Sequence, residues 1–486
     1  MPDSGAPDAI VVGAGPNGLA AAVTLARAGL QVEVLEREAT IGGGARTGAL
    51  TAPGFLHDVC SAVHPMALAS EFFQRFGLER RIELAVPEIS YAHPLDDARA
   101  AIAYRDLDRT AEGLGRDGRA WRGFFGPLSQ RADAVAAFTG DSLLRVPTEP
   151  GVALRFGMRA LEQGTPLWNL RFAEDRAPAL LTGVAAHSIL PLPSLGTAGA
   201  ALMLGSTAHA RGWPVPIGGS QAIVDALAAD LLAHGGTIRT GVEVASLDEL
   251  PRSRAVLLDV TPRALDRLAG SRLPEAYRRR LRAYRIGNAA AKVDLALDGP
   301  VPWAVPELAQ APTLHLGGSR AQIAAAEHEV AQGRHADRPY LLVAQPSVLD
   351  PGRAPAGSHA LWTYAHVPRG STLDPTEMVL RQLERFAPGV RDRIVAVAAR
   401  PAADMASENP NYLGGDIANG LPDLRQLLAR PVLAREPWRT PARGVYLSSA
   451  ATPPGPGVHG MAGWRAALSA LRHEFGIRAS PDLSPA

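Results

Sequence analysis

Three glycines near the N-terminus have the spacing that cradles a phosphate-linked dinucleotide. They stand in a run that matches G-x-G-x-x-G, namely Gly13-Ala14-Gly15-Pro16-Asn17-Gly18. In this pattern the first glycine permits a tight turn, the second lets the backbone approach a pyrophosphate, and the third lets a helix pack closely on a strand. Glu36 follows at close to the usual distance of about 20 residues, where a carboxylate accepts hydrogen bonds from ribose hydroxyls. Because an acid there disfavours a 2′-phosphate, the pattern predicts a dinucleotide other than NADP.

A second glycine run favours FAD over NAD. Shortly after Glu36 the chain reads Ile41-Gly42-Gly43-Gly44-Ala45-Arg46-Thr47. Such a run lets the backbone pass close to the flavin half of the dinucleotide, and Arg46 is placed to contact the phosphates or the edge of the ring. The residues expected to contact FAD in this region are Arg37, Gly43, Gly44, Ala45 and Arg46.

A third glycine-rich segment lies near the C-terminus, in the run Gly455-Pro456-Gly457-Val458-His459-Gly460. Its spacing is again G-x-G-x-x-G, but prolines interrupt it and too little chain follows for another ribose-binding strand. We therefore expect no built-in NAD(P)H domain. Instead, Gly457 and Val458 are predicted to contact the flavin, and the next helix to point its positive N-terminal end at the anionic reduced ring.

The hydrophobic pattern predicts the elements that position these residues. Asp8 to Val12 and Gln31 to Leu35 are typical of buried strands, and Leu19 to Ala28 is typical of a helix, which completes a β-α-β unit. A strand over Val445 to Ser448 and a helix over Met461 to His473 flank the C-terminal glycine segment.

Composition narrows the class of protein. A chain of 486 residues is long enough for two domains, and its net charge of +1 gives no nucleic-acid footprint. The single cysteine, Cys60, excludes an intramolecular disulfide and a cysteine metal cluster, and is typical of a reducing compartment. Met1 to Pro7 hold neither a basic nor an apolar signal region, so we expect a cytoplasmic protein.

The most apolar stretch of the chain is Leu195 to Ala210. It is shorter than the roughly 20 apolar residues of a membrane span. We predict a buried helix that lines a substrate cavity, and leave contact with a membrane surface open.

Together these segments resemble the FAD-dependent superfamily of flavin amine oxidases and carotenoid desaturases. The resemblance is strongest to its phytoene-dehydrogenase-like subgroup, which includes pyridine nucleotide-disulphide oxidoreductase domain-containing protein 2, and it covers nearly the whole chain. Further segments carry it: Pro53-Gly54-Phe55 with His57-Asp58, Pro216-Ile217-Gly218-Gly219-Ser220 opening a helix to about His234, Lys292 to Leu297 before Pro302-Trp303, and Asn409-Pro410-Asn411-Tyr412 with Gly414-Gly415-Asp416-Ile417. Pro453-Pro454 departs from the subgroup, which often has His-Pro at this point.

This resemblance implies an α/β fold in which a Rossmann-type FAD-binding domain is discontinuous and carries an inserted α+β substrate domain. The FAD-binding domain is expected over residues 1–70, 211–262 and 400–486, and the substrate-binding domain over residues 71–210 and 263–399. The backbone of Glu243-Val244 is expected to contact adenine.

The predicted catalytic residues are Lys292 and His459. Lys292 is the one lysine among the 49 basic residues, so the other 48 are arginine. In flavin amine oxidases a lysine at a similar place holds a water near flavin N5, a task that suits a compact cation that can deprotonate. His459 is the best placed of four candidate bases, the others being His57, His64 and His187, and Trp464 is expected either to line the pocket or to pack in the core.

The sequence favours an oxidase, dehydrogenase or desaturase that takes hydride from a largely apolar substrate onto FAD, with oxygen, a quinone or another acceptor reoxidising the cofactor. Two alternatives stay open. One is a redox-neutral flavin-dependent isomerase, and the other is an FAD-containing interaction protein without turnover.

Overall fold

The computed structural model describes residues 6–485. Most of the N-terminal stretch on which the expectation about a signal region rests, Met1 to Pro7, lies outside the described residues. The strands are β1 Ala9–Val12, β2 Val32–Leu35, β3 Thr47–Gly48, β4 His57–Asp58, β5 Leu84–Ala85, β6 Ile89–Leu95, β7 Arg99–Tyr104, β8 Val215–Pro216, β9 Thr237–Arg239, β10 Ala255–Leu258, β11 Ala289–Leu297, β12 Thr313–Leu316, β13 Leu341–Ala344, β14 His359–Val367, β15 Ile394–Arg400 and β16 Val445–Leu447.

Helices connect these strands. They are α1 Pro16–Arg27, α2 Glu71–Phe76, α3 Leu107–Gly113, α4 Gly118–Ser129, α5 Ala132–Thr139, α6 Pro150–Gln163, α7 Arg176–Ala185, α8 Leu195–Ala210, α9 Gln221–Ala233, α10 Pro262–Ala269, α11 Glu275–Arg282, α12 Arg320–Ala331, α13 Thr376–Phe386, α14 Met405–Glu408, α15 Leu424–Leu428 and α16 Met461–Glu474.

A parallel sheet of five strands forms the nucleotide-binding half. Its order is β16-β10-β1-β2-β9, and every neighbouring pair is parallel. β1, β2 and β10 are almost continuously apolar because helices cover both faces of the sheet. This is the predicted Rossmann-type arrangement, and the predicted mixed α/β fold is confirmed.

A mixed sheet of seven strands forms the other half. Its order is β15-β11-β14-β13-β12-β6-β7, and all its pairs are antiparallel except β12 with β6. The strands of the parallel sheet fall within the segments expected to bind FAD, and those of the mixed sheet fall within the inserted segments apart from Arg400. The domain boundaries themselves stay a prediction.

Two predicted element starts differ from the structure by more than one residue. α1 begins at Pro16 rather than Leu19, because a proline at the first helical position is already fixed in a helical φ. The helix predicted to open at Pro216 to Ser220 is α9, which begins directly after that segment at Gln221. β11 begins at Ala289, so Lys292 lies inside the strand rather than at its start.

Two glycines let α1 approach its neighbours closely. A Cβ on Gly18 would collide with the carbonyl of Gly13, and a Cβ on Gly463 of α16 would collide with the carbonyl of Asn17. α1 is therefore held between the glycine turn and α16 by backbone-to-backbone contact. This fixes where the N-terminal end of α1 points.

We expect Gly463→Ala to destabilise the protein by about 3 kcal/mol, since backbone cannot retreat from the added methyl. Gly123→Ala is the matched control, because Gly123 is an exposed residue of α4 with open space around its Cβ position, and we expect it to stabilise by about 1 kcal/mol. Urea unfolding measures both. Equal stability of the two variants would contradict the tight α1–α16 contact.

Candidate functional site

One cavity of about 990 Å³ runs between the two halves of the molecule. One end lies at the glycine turn after β1, and the other lies among α6, α8 and the mixed sheet. The predicted site residues that line it are Gly13, Gly15, Pro16, Asn17, Glu36, Arg37, Gly43, Gly44, Ala45, Val244, Gly457, Val458 and His459. Gly18, Arg46 and Lys292 lie behind its wall.

The glycine turn gives the cavity a backbone floor. Gly13 has φ of 102°, which favours glycine, and a Cβ on Gly15 would lie 2.9 Å from the Asp259 carboxyl. Within residues 6–485, the N–H groups of Gly15 and Asn17 make no hydrogen bond. The buried Asn17 Oδ1 also has no partner. The two free N–H groups at this helix N-terminus suit a pyrophosphate.

Glu36 lies at the carboxyl end of β2, where its side chain faces the cavity. Its Oε2 accepts a hydrogen bond from the Ala14 N–H at 2.7 Å, and its Oε1 accepts one from the Glu38 N–H at 2.9 Å. Because a carboxylate has about four acceptor positions, the side chain is held in place and can still accept from a ribose. Arg37 pairs with Glu38 at 2.6 Å and does not neutralise Glu36.

Asp259 is a cavity residue that sequence reasoning missed. It follows β10 directly, and its Oδ2 accepts a hydrogen bond from the Gly18 N–H at 3.0 Å. Burial raises the pKa of Asp259 to about 7, while the Gly18 hydrogen bond opposes that rise and the nearby Glu36 adds to it. Its position at the carboxyl end of a parallel strand was the available signal, since ligands bind at that edge of such sheets.

The second glycine run packs against the first. A Cβ on Gly43 would lie 3.3 Å from the Gly15 Cα, and one on Gly44 would collide with the Tyr412 hydroxyl. The backbone of this run therefore forms part of the cavity wall with no room for side chains.

Arg46 is held by contacts within the protein. Its guanidinium donates to the Gly43 carbonyl at 3.0 Å and to the Glu408 carbonyl at 2.9 Å, and pairs with the Glu408 carboxylate at 3.0 Å. These bonds turn it away from the cavity. Arg46 thus fastens the glycine run to α14, and its contact with a phosphate or ring edge stays a prediction.

The C-terminal glycine segment closes the cavity from the side of α16. Gly457 has φ of 133° and Gly460 has φ of 68°. Gly460 directly precedes Met461, the first residue of α16. His459 Nδ1 accepts a hydrogen bond from the Met461 N–H at 3.1 Å, so Nε2 carries the proton and donates to the Gly455 carbonyl at 3.1 Å. Burial lowers the pKa of His459 to about 4. With both ring nitrogens engaged, His459 shapes the loop, and these bonds do not favour its predicted role as a base.

Lys292 lies one layer behind the cavity wall. It is completely buried, forms an ion pair with Asp294, and places its Nζ 5.6 Å from the ring centre of Trp362, which lines the cavity. Burial lowers the pKa of Lys292 and raises that of Asp294 to about 6. The side chain is thus engaged with a carboxylate, and the predicted contact with a cofactor-bound water stays a prediction.

The other sequence candidates divide between wall and core. His64 lines the cavity, and its Nε2 donates to Ser220 Oγ at 2.7 Å, since that hydroxyl itself donates to the Ser61 carbonyl. His187 also lines the cavity. His57 is buried behind it beside Thr51, and Trp464 packs in the core with Phe72.

The far end of the cavity is largely apolar and aromatic. Trp362 and Tyr364 of β14 meet edge to face with ring centres 5.2 Å apart, next to Leu342 of β13. α8 supplies Leu195 and Met203 to the same wall, as predicted for the apolar stretch. We refer to this end as the aromatic chamber.

Residues 6–485 contain no group of three or more histidine, cysteine or acidic side chains that could hold a metal ion. Among the same residues, no helix is both long and apolar enough to cross a membrane.

Comparisons with known proteins agree with this geometry. Residues 11–76 match the model of the NAD(P)-binding Rossmann-like domain. Pyridine nucleotide-disulfide oxidoreductase domain-containing protein 2 of Rattus norvegicus is 26% identical, over 96% of this chain and 93% of the relative. The mouse (Mus musculus) protein of the same name is likewise 26% identical over the same shares of the two chains.

Solved structures share the fold along most of its length. A variant of putrescine oxidase superposes with a TM-score of 0.62 at 17% identity, covering 96% of this chain and 98% of that one. Cyclohexylamine oxidase from Brevibacterium oxydans superposes with a TM-score of 0.57 at 15% identity, with the same coverage. The predicted resemblance is confirmed: the chain is similar along nearly its whole length to pyridine nucleotide-disulfide oxidoreductase domain-containing protein 2, and its Rossmann-type nucleotide-binding domain is set in the fold that putrescine oxidase and cyclohexylamine oxidase share.

Proposed function

We propose that this protein is an FAD-dependent oxidoreductase that removes hydride from a largely apolar organic substrate. One observation carries the proposal: a single cavity joins the dinucleotide-binding turn to the aromatic chamber. A cofactor and a substrate held in one continuous space can exchange hydride directly, without a moving carrier.

The residues present fit FAD. The free N–H groups of Gly15 and Asn17 would hold the pyrophosphate, and the Glu36 carboxylate would accept from the adenosine ribose. Val244 would contact adenine, and the backbone of Gly43, Gly44 and Gly457 would lie along the flavin half. When bound, FAD supplies the hydride acceptor, its ring atom N5.

The chain contributes orientation and exclusion of water. Trp362, Tyr364 and Leu342 offer apolar surface to a substrate, and two other carboxylates that line the cavity are engaged in ion pairs. Asp141 pairs with Arg145 at 2.9 Å and Arg465 at 3.0 Å. Glu408 pairs with Arg46 and Arg400. An uncharged apolar molecule therefore suits the chamber better than a small cation such as the amine that the name putrescine oxidase implies for that protein.

We also propose an electron acceptor, a cellular compartment and a division into domains. Oxygen, a quinone or another acceptor would reoxidise the flavin. The single cysteine supports a reducing compartment such as the cytoplasm. The proposed division into an FAD-binding and a substrate-binding domain follows the two large sheets.

Anaerobic mixing of the purified protein with a panel of apolar alcohols, amines and polyenes tests the function. We expect the visible spectrum of bound FAD, and bleaching of its band by at least one substrate. Substrate turnover that occurs only after the flavin has been reduced would replace the proposal with an isomerase. Absence of bound FAD, or of both bleaching and turnover, would overturn it.

Asp259 predicts how FAD affinity depends on pH. Since the raised pKa of Asp259 is about 7, the carboxyl is neutral at pH 6 and ionised at pH 8, where it repels the pyrophosphate. We expect FAD to bind the flavin-free protein about tenfold more weakly at pH 8 than at pH 6. Calorimetric titration measures this, with Asp259→Asn as the control that keeps an acceptor for the Gly18 N–H. An equal pH dependence of FAD affinity in the variant would show that Asp259 is not its cause.

The buried ion pair gives a prediction for Lys292. Lys292→Met leaves the Asp294 carboxyl without its cation, so we expect a loss of about 3–5 kcal/mol in unfolding free energy. Lys292→Met combined with Asp294→Asn removes both charges and is expected to recover most of that loss. Urea unfolding tests this, and equal loss in both variants would contradict it.

The same double variant separates stability from catalysis. A tenfold or larger fall in the rate of flavin reduction or reoxidation, at recovered stability, would support the catalytic role proposed for Lys292. Unchanged rates would remove it.

A further inference from the structure

Two histidines, His315 buried and His187 half-buried, stand at the wall of the aromatic chamber, and the function proposed above does not use them. His187, in the turn after α7, lies with its Nε2 2.7 Å from the Nε2 of His315 on β12. His315 is fully buried, whereas His187 lines the cavity. The pair thus connects the interior of the protein to the substrate end of the cavity.

The mixed sheet places this pair in the chamber rather than near the glycine turn. His315 lies opposite Leu342 in the β12–β13 register, and Leu342 lies opposite Tyr364 in the β13–β14 register. Leu342 and Tyr364 both line the cavity. His187, which touches His315, therefore belongs to the same wall as these two side chains.

Aromatic rings hold both imidazoles in position. His315 packs between Tyr91, at 5.3 Å between ring centres, and Tyr340, at 6.2 Å with nearly parallel planes. Trp213 meets His187 edge to face at 5.7 Å and His315 at 5.9 Å. Neither ring can turn without disturbing this cluster.

The pair is uncharged. Burial lowers the pKa of His187 to about 3, and burial together with His187 and His93 lowers that of His315 well below its usual value. A proton taken up at His187 would place a cation in this apolar cluster, which is unfavourable. The pair is therefore unsuited to act as a general base.

The tautomer follows from what each nitrogen can contact. Two neutral imidazoles that bond through their Nε2 atoms share one N–H, so one ring is the donor. If His187 donated, His315 would carry its other proton on Nδ1, which is buried and has no partner. If His315 donates, its Nδ1 is only a bare acceptor, and a buried acceptor without a partner is tolerated better than a buried N–H.

With His315 as donor, His187 carries its proton on Nδ1. That nitrogen makes no hydrogen bond with residues 6–485 and is not fully enclosed by them, unlike Nδ1 of His315. His187 therefore presents an N–H to the chamber, on a wall whose other side chains include the apolar Ile189 and Leu342.

We propose that His187, fixed by His315, is the polar anchor of the substrate chamber and binds an uncharged hydrogen-bond acceptor on an otherwise apolar substrate. Carbonyl, hydroxyl and ether oxygens and unprotonated nitrogens belong to this class; an ammonium group does not, since it has no lone pair for the N–H. The inference rests on the proposed function for the identity of the chamber as a substrate site, and it adds the chemical class of that substrate.

Three probes of one shape test the anchor: 2-acetylnaphthalene, 2-ethylnaphthalene and 1-(2-naphthyl)ethylammonium. Isothermal titration of the purified FAD-loaded protein gives their dissociation constants. We expect the ketone to bind the wild-type protein more tightly than the ammonium. We expect the ketone-to-hydrocarbon affinity ratio to fall about tenfold in His187→Phe, which keeps an aromatic ring and removes the N–H.

Matched variants keep the test decisive. His187→Gln retains an N–H donor and is expected to keep part of the ratio, while His315→Phe, which removes the fixing partner, is expected to lower it. An unchanged ratio in His187→Phe, tighter binding of the ammonium, or no binding of the ketone up to its solubility limit would overturn the proposal. If His187→Phe does not fold with bound FAD, the ratio in His187→Gln relative to His315→Phe decides, and equal ratios overturn the proposal.

The titration needs no turnover, so its failure is distinct from failure of the proposed function. A protein that shows the probe preference but whose flavin no substrate reduces would lose the oxidoreductase assignment and keep the anchor. A protein whose flavin is bleached but whose probe ratio does not depend on His187 would keep the function and lose the anchor.

Discussion

The site depends on the backbone contact between α1 and the turn that precedes it. Gly18 lies against the Gly13 carbonyl, and Gly463 lets α16 lie against the other side of the same helix end. Because no side chain separates these elements, the N-terminal end of α1 points in one fixed direction, and its free N–H groups face the cavity. The second glycine run, the Glu36 carboxylate and the C-terminal segment are all placed relative to that helix end.

A second constraint shapes the substrate end. Polar and charged groups of the mixed sheet are paired behind an apolar wall: Lys292 with Asp294, His315 with His187, and His366 with Glu327. Burying such groups is costly unless each finds a partner, so they restrict how the strands and aromatic rings can pack. The chamber thus gains a defined shape from residues that do not themselves line it, and His187 is where this buried network reaches the cavity.

Much of the nucleotide-binding half could be predicted from the sequence, because its signals are local. The glycine spacing, the acid after β2 and the apolar strands are each contained in short stretches of chain. Gly13 and Gly18 have to be glycines because of close contacts that the spacing itself implies. The resemblance to a known superfamily extended the prediction from the nucleotide-binding half to the fold of the whole chain.

The substrate end could not be predicted in this way, because its contacts join distant segments. Arg46 pairs with Glu408, more than 300 residues away, and Lys292 lies over the ring of Trp362 of the neighbouring strand. His459 is a different case, because both of its ring nitrogens are engaged by the backbone of its own loop. His187 was a candidate as a base, but only its contact with His315 indicates a neutral donor. Asp259 alone carried a readable local signal that was missed.

A crystal structure of the protein with FAD bound tests whether one cavity holds both the cofactor and the substrate. We expect a pyrophosphate within hydrogen-bonding distance of the Gly15 and Asn17 N–H groups, and a flavin ring that faces the chamber formed by Trp362, Tyr364 and Leu342. A cofactor bound outside this cavity, or a flavin ring separated from that chamber by protein, would contradict it.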